Sequence, residues 1–597
     1  MRKLYVLAAA ILVGCSAPKE QIPPLETMQR SSGKITIYQV MTRLFGNKST
    51  TNKIYGTIEE NGVGRFNDID AKALTAIKEM GITHVWYTGI IEHAVLTDYT
   101  QYGIPLDDAD VVKGRAGSPY AIKDYYDVNP DLAVNVKDRM SEFESLVERT
   151  HSNGLKVLID FVPNHVARAY HSDVKPAGVK DIGENDDKTV AFKASNNFYY
   201  LPGESFKVPS GYHALGNNSH PTKDGKFEET PAKVTGNDQF TASPGVNEWF
   251  ETVKLNYGVD IQNGRKNYFD PIPDTWNKMR DILLYWADKK VDGFRCDMAE
   301  MVPVEFWSWV IPQVKESHPD IIFIAEIYNP DQYGNYISTG RFDYLYDKVL
   351  LYDTLRAMLK GERKSTDIGD VQKRLEGIND NMLHFLENHD EQRLASKFFA
   401  GDIWKGAPAM VVSATIDRGP VMIYFGQEVG EPGLGVEGFQ GDDGRTTIFD
   451  YWGVPEFQKW MNGGKFDGAL LSLEQKQLRQ FYIDLLVLAS KNPALTKGEY
   501  IDVTNENISA GNFTDKVHAF VRFQDTEKLL IVTSYNDKDI MAKIQIPKGV
   551  AEKMGLDPTG DYIARDMLWR EAEVGFDKAL TFEMKLKPYS SFIFKIK

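Results

Sequence analysis

Residues 293–300 read GFRCDMAE. In an extended chain alternate side chains share a face, so Arg295 and Asp297 point the same way. Burial raises a carboxylate's pKa and an adjacent guanidinium lowers it, so Arg295 serves to keep Asp297 ionised. A second carboxylate, Glu326, lies in IIFIAEIY (321–328). Its flanks, Ile324, Ala325 and Ile327, favour the neutral, proton-holding form. One ionised and one protonated carboxylate is the pair that glycosidic bond cleavage requires. A retaining reaction needs the two groups about 5–5.5 Å apart, a spacing that neighbouring strands can supply.

Other polar groups sit at the ends of apolar runs. KVLIDFVPNH (156–165) brings Asp160, Asn164 and His165, and MLHFLENHD (382–390) brings Glu387, His389 and Asp390. Taken singly, an Arg-x-Asp is an ordinary salt bridge and Asn-His-Asp an ordinary turn. Together, at the ends of several strands, they converge on one mouth.

The elements that position them alternate. Strand-like runs at 35–41, 83–90, 156–163, 293–300, 321–328, 342–348, 382–390 and 420–428 are separated by helical patterns or an insertion. Helices are read at 68–81, 138–154, 275–290 and 304–317. Eight βα repeats predict an α/β fold, a (β/α)8 TIM barrel, whose active site gathers at the strands' C-terminal ends. The alternative is an open doubly wound sheet, but no glycine-rich phosphate fingerprint follows the first strand. Barrel segments are placed at 34–164 and 273–495, with an inserted domain B at 165–272, rich in Asn, Gly, Pro, Asp and Tyr. Short strand-like runs from 496 to 597 predict a C-terminal antiparallel β-sandwich.

The chain has 597 residues and a net charge of −15, with no basic block beyond its start. That charge argues against a nucleic-acid partner. Of its two cysteines, Cys15 falls in the leader, so no disulfide framework is expected. MRKLYVLAAAILVGC has a short basic start and an apolar run too short to span a bilayer. Residues 1–14 are read as a signal peptide. LVGC resembles a bacterial lipobox, which predicts cleavage before Cys15, a lipid on its sulfur and a tether over 15–33. The expected location is the cell envelope, at the outer membrane, facing either the periplasm or the outside. Membrane contact is expected only through that lipid, and the oligomeric state is left open.

VLIDFVPNH, GFRCDMAE, IAEIY and FLENHD, in this order and spacing, resemble the four conserved regions of the α-amylase family of glycoside hydrolases. The resemblance extends over about residues 34–597. It implies that Asp297 is the nucleophile of a covalent glucosyl intermediate and that Glu326 is the acid and base. It implies that Asp390 binds ring hydroxyls, that His165 and His389 donate to the same sugar, and that Arg295 orients Asp297. Asp160 is implied as a structural member of the site. SPYAIKDYYDVNP (118–130) is similar to the family's segment after strand two, which makes Tyr120 the stacking aromatic. Asn164 matches a common calcium ligand, so calcium is left open as a cofactor. VKLNYG (253–258) resembles the MPKLN motif of neopullulanase-like members.

The chain also departs from the family. Ser118 stands where many members have histidine, and MAEMVP after Asp297 replaces a Lys-His pair. The implied activity is retaining cleavage of α-1,4 bonds, with α-1,6 open, in starch-derived maltooligosaccharides. The rivals are an α-glucan transglycosylase or exo-α-glucosidase on the same residues, and a non-catalytic glucan-binding barrel. Retention of Asp297, Glu326 and Asp390 argues against the last.

Overall fold

The computed structural model describes residues 33–597 apart from 440, 558 and 571. The signal peptide, Cys15 and the tether up to residue 32 lie outside the described residues. The eight predicted strands form as β1 (Thr36–Met41), β2 (His84–Thr88), β3 (Lys156–Phe161), β4 (Gly293–Cys296), β5 (Ile322–Ala325), β6 (Tyr344–Tyr346), β7 (Met382–Leu383) and β8 (Val421–Tyr424). Each is apolar-rich and buried almost throughout, as parallel strands covered on both faces must be. All pairings are parallel, and β1 pairs with both β2 and β8. A parallel bridge from His384 to Val421 joins β7 to β8 and closes the barrel. The open-sheet alternative is thereby excluded.

Helices Ala71–Glu79, Arg139–Ser152, Asp274–Asp288, Val304–Ser317 and Ala407–Thr415 follow β1, β2, β3, β4 and β7. Asp70 caps the first, accepting hydrogen bonds from the backbone N–H groups of Lys72 and Ala73. The first four turn an apolar stripe inward, with Trp286 and Trp307 fully buried, while Ala407–Thr415 is buried on every side. Among the described residues no helix is long and apolar enough to cross a membrane.

Three features differ from the sequence expectation. The segment after β2 contains a hairpin, Ile91–His93 against Ile122–Val128, with two register shifts. Strand β4 stops at Cys296, because Met298 turns into the left-handed region at φ 42°. Strand β7 is only two residues long, so His389 and Asp390 stand on the loop beyond it. The insertion carries strands of two or three residues, among them His165–Ala167 paired with Thr252–Lys254. Strands so short leave no periodic trace in sequence.

Beyond Glu499 the chain builds a six-stranded sheet and a two-stranded sheet. The pair is Ile540–Gln545 with Thr581–Leu586, and both sheets contribute to one apolar core, including Val521, Leu530, Ile544, Leu586 and Phe594. This is the expected sandwich, with unequal layers.

His384 closes the barrel and also carries a charge. Its buried ring lies 2.7 Å from Asp417 and 3.3 Å from Asp347. Burial alone would lower its pKa, but Asp417 and then Asp347 outweigh it and raise it from 6.5 to about 9. A raised folded-state pKa contributes stability below the unfolded value and loses it as pH climbs through the folded one. His384→Gln should therefore remove on the order of 3 kcal/mol at pH ~6 and little above pH ~9. Denaturant melts of both proteins at the two pH values check this; an equal loss at both would contradict it.

Candidate active site

Parallel register sets the site. Arg295 on β4 stands level with Asp160 on β3, and Cys296 stands level with Ala325 on β5. Asp297 and Glu326 are therefore the next residues on neighbouring strands, which run ~4.8 Å apart. Backbone bonds continue the ladder past the strands, from Asp297 N–H to Phe161 and from Glu326 N–H to Cys296.

Arg295 is fully buried at the centre. Its Nη1 donates to Asp297 Oδ1 at 2.9 Å and to Asp160 Oδ1 at 3.2 Å. Its Nη2 lies 2.7 Å from Glu326 Oε2, an ion pair without hydrogen-bond geometry. The rings of Trp86, Tyr120 and Tyr346 surround the guanidinium at 5.3–5.5 Å. This corrects the expectation that Arg295 serves Asp297 alone and that Glu326 has only apolar company. Strand periodicity identifies same-face neighbours on one strand but not how far a long side chain reaches across two.

Burial drives the Asp297 carboxyl well above the usual range; Arg295 opposes this, while Glu326, Asp160 and Asp390 add to it. Burial likewise raises Asp160. Burial and the three neighbouring carboxylates thus outweigh Arg295 at Asp297, against the sequence expectation that the guanidinium keeps this carboxyl ionised. Asp297 Oδ2 is buried without a hydrogen-bond partner.

Glu326 is held at both oxygens. Tyr328 O–H donates to Oε1 at 2.8 Å and Met298 N–H to Oε2 at 2.8 Å. His389 Nε2 lies 3.0 Å from Asp390 Oδ2 and against the Tyr120 hydroxyl. Gln39, inside β1, sets its amide nitrogen 2.8 Å from His389 Nδ1 and so orients the ring. The Asp390 side chain is 35% exposed, the most open of the four carboxylates. Burial pushes its pKa up, but His389 and then Arg295 and Arg445 hold it below the usual range.

Tyr120, Asp160, Arg295, Asp297, Glu326, His389 and Asp390 are thus one connected set. His165 joins it through the backbone of Tyr120, while its ring packs on Trp249 at 5.3 Å. Burial, then Lys254 and Lys113, lower its pKa to about 3, so it is neutral. Asn164 donates to His165 Nδ1 at 3.1 Å and fixes its tautomer.

Asn164 does not fit a calcium ligand here. Its side-chain oxygen accepts from the buried ammonium of Lys254, which also lies 2.8 Å from Asp238 Oδ1 and 3.2 Å from the Met301 carbonyl. A cation is already built into the chain at that point, tying the loops after β3 and β4 to the insertion. Sequence reasoning did not give a role to Gln39, Trp86, Tyr328, Tyr346, Trp249 or Lys254. Only Lys254 carried a signal, because it lies in VKLNYG.

A parallel barrel with two carboxylates on adjacent strand ends, joined by one arginine, defines a glycosidase type of site. The family description "Alpha amylase, catalytic domain" matches residues 39–448, and the chain belongs to this family of glycoside hydrolases. It is 23% identical over 446 residues to Alpha-amylase 3 of Dictyoglomus thermophilum, spanning 70% of this chain and 74% of that protein. Among solved structures it is similar to a noncanonic maltogenic alpha-amylase, AmyB, from Thermotoga neapolitana, with TM-score 0.57, 18% identity and coverage of 94% and 98%. It is also similar to an acarbose-soaked debranching enzyme of Nostoc punctiforme, with TM-score 0.59, 17% identity and coverage of 94% and 98%. At these identities the structural likeness speaks for the fold.

Proposed function

We propose that the protein is a retaining α-glucan hydrolase that cleaves α-1,4 bonds, and α-1,6 bonds where its cleft admits them, in maltooligosaccharides. The observation that carries this reading is the unpartnered oxygen of Asp297, beside Glu326 on the next strand. Asp297 Oδ2 attacks the anomeric carbon while Arg295 holds Oδ1. Glu326 gives its proton to the leaving oxygen; Asp297 stays bonded to the sugar as a β-glucosyl ester. Glu326 then takes a proton from water, and the water's oxygen displaces Asp297 with net retention. Asp390 and His389 hold ring hydroxyls, with His165 on the same sugar and Tyr120 stacked against it. The similarity to an amylase, a maltogenic amylase and a debranching enzyme supports α-glucan as substrate.

Product sizing from maltoheptaose and pullulan tests the reading. Shorter maltooligosaccharides with no longer products indicate hydrolysis. Chains longer than the donor would indicate transfer, and failure to act on both substrates would contradict the proposal. At the cell, a lipid on Cys15 would hold the enzyme at the envelope.

Lys254 makes a metal at Asn164 unnecessary for turnover. Removal of divalent ions should leave kcat at ambient temperature unchanged. Lys254→Met should cost about 3 kcal/mol, because the buried Asn164 oxygen and Asp238 lose their cation. Loss of activity on chelation, regained only with calcium, would contradict this.

A further inference from the structure

Glu326 stands at the end of β5, and β1, flanked by β2 and β8, lies across the barrel from it. On that far half the loop inside the hairpin after β2 and the loop after β8 are joined directly. Ala116 N–H donates to the Phe449 carbonyl at 2.9 Å, and Arg115 N–H to Asp450 Oδ1 at 3.1 Å. Gly114 sits at φ 65°, and a side chain on it would collide with the same carbonyl. Arg43, just past β1, is buried beneath and clamps both loops. Its Nη1 donates to the Ala116 carbonyl at 2.7 Å, and its Nη2 to the carbonyls of Gly117, at 2.9 Å, and Ile448.

The insertion is tied to the same rim. Lys113 pairs with Glu251 at 2.6 Å, and its ammonium lies 5.9 Å from the ring centre of Phe250 and 5.8 Å from that of Phe449. Next to Phe250, the half-buried Trp249 holds its backbone at φ 44°, an uncommon state for a bulky residue. The N–H and hydroxyl of Thr252 fix it there, each donating to the Trp249 carbonyl at 3.0 Å. The strained turn lays the Trp249 ring on His165. At the other end Phe449 packs on Phe439 at 5.1 Å, and Phe439 lies 4.1 Å from the Arg445 guanidinium. Arg445, paired with Asp443 at 2.7 Å, reaches the Asp390 carbonyl at 3.5 Å. A rim of interlocked side chains thus runs from His165 round to Asp390.

The sugar attacked by Asp297 meets Glu326 at its C1. C4 lies across the pyranose ring from C1, so any further donor unit leaves that sugar on the side of the rim. The rim begins at His165 and Asp390, which hold the sugar itself. We infer that it ends the donor site within one or two glucose units, so that the enzyme works from non-reducing chain ends and releases glucose or maltose; this rests on the hydrolase reading above. The acid's side is different. A cavity of about 190 Å³ lies there between the insertion, the loop after β4 and Tyr336 beyond β5, lined by Lys254, Asn267, Glu300 and Met301 among others.

The test gives the full chain two nitrophenyl maltoheptaosides, one with a free non-reducing end and one with that end blocked by a 4,6-O-ethylidene group, and sizes the earliest products. Wild type should release glucose or maltose from the free substrate, leaving the nitrophenyl label on the long fragment. The blocked substrate should react at least about 100-fold more slowly. Phe439→Ala and Trp249→Gly, the second matched to the left-handed backbone, should each narrow that gap about tenfold or more and lengthen the released product. Early release of maltotriose or longer chains by wild type, or equal rates on the two substrates, would overturn the inference and leave the hydrolase reading standing. Variants that keep the wild-type gap and product would overturn the assignment to this rim. Cleavage of neither substrate by wild type would overturn the hydrolase reading and this inference with it.

Discussion

Asp297→Asn should lower kcat on maltoheptaose by at least about 10⁴-fold, equivalent to ~5.5 kcal/mol of barrier. The amide keeps the Oδ1 that accepts from Arg295 at 2.9 Å. What it loses is the charge and nucleophilicity of Oδ2. Folding should not suffer. The wild-type cluster sets Asp160, Asp297, Glu326 and Asp390 around Arg295, and burial already holds Asp297 well above its usual pKa. Removing one negative charge relieves that crowding, so the melting temperature should equal or exceed the wild-type value. Steady-state kinetics and calorimetry on the same preparation check both halves. Turnover near wild type would remove Asp297 from the mechanism, and a large drop in melting temperature would assign it a structural role.

The second large effect is at Glu326. Glu326→Ala should reduce kcat/KM on maltooligosaccharides by about 10³-fold or more, within the range for a general acid. Loss on an α-glucosyl fluoride should be much smaller in the first step, because fluoride leaves without a proton. Azide, which needs no general base, should then restore turnover and give an α-glucosyl azide. Tyr328 and the Met298 N–H grip the two oxygens of Glu326 at 2.8 Å each. Tyr328→Phe should therefore change the pH profile of kcat while leaving the azide response of wild type absent. If azide fails to rescue Glu326→Ala, or the fluoride and the oligosaccharide lose equally, Glu326 is not the acid and base.

The barrel was legible because its strands are buried on both faces and so read as apolar runs. Their ends were legible because Asp160, Arg295, Asp297 and Glu326 interrupt those runs abruptly. The register of β4 and β5 then follows from parallel pairing, as Cys296 opposite Ala325 demonstrates. Contacts that depend on side-chain reach were not legible. Nothing in GFRCDMAE reveals that Arg295 also lies 2.7 Å from Glu326. Gln39 looks like one polar residue in a strand until its amide is seen on His389. The hairpin was hidden because its first strand has three residues and its register slips twice. The insertion was opaque for a similar reason: its order comes from hydrogen-bonded turns and from ion pairs such as Lys254 with Asp238, which leave no periodic pattern.

The central claim is that Asp297 carries the sugar. It can be read directly by incubating the enzyme with 5-fluoro-α-D-glucosyl fluoride, quenching in acid, digesting with trypsin and mapping the adduct by mass spectrometry. Cleavage after Arg295 and Lys315 releases a peptide, CDMAEMVPVEFWSWVIPQVK, that contains Asp297 but neither Glu326 nor Asp390. A fluoroglucosyl adduct on Asp297 of that peptide, absent from Asp297→Asn, is the predicted result. An adduct on a peptide carrying Glu326 or Asp390 would contradict the account.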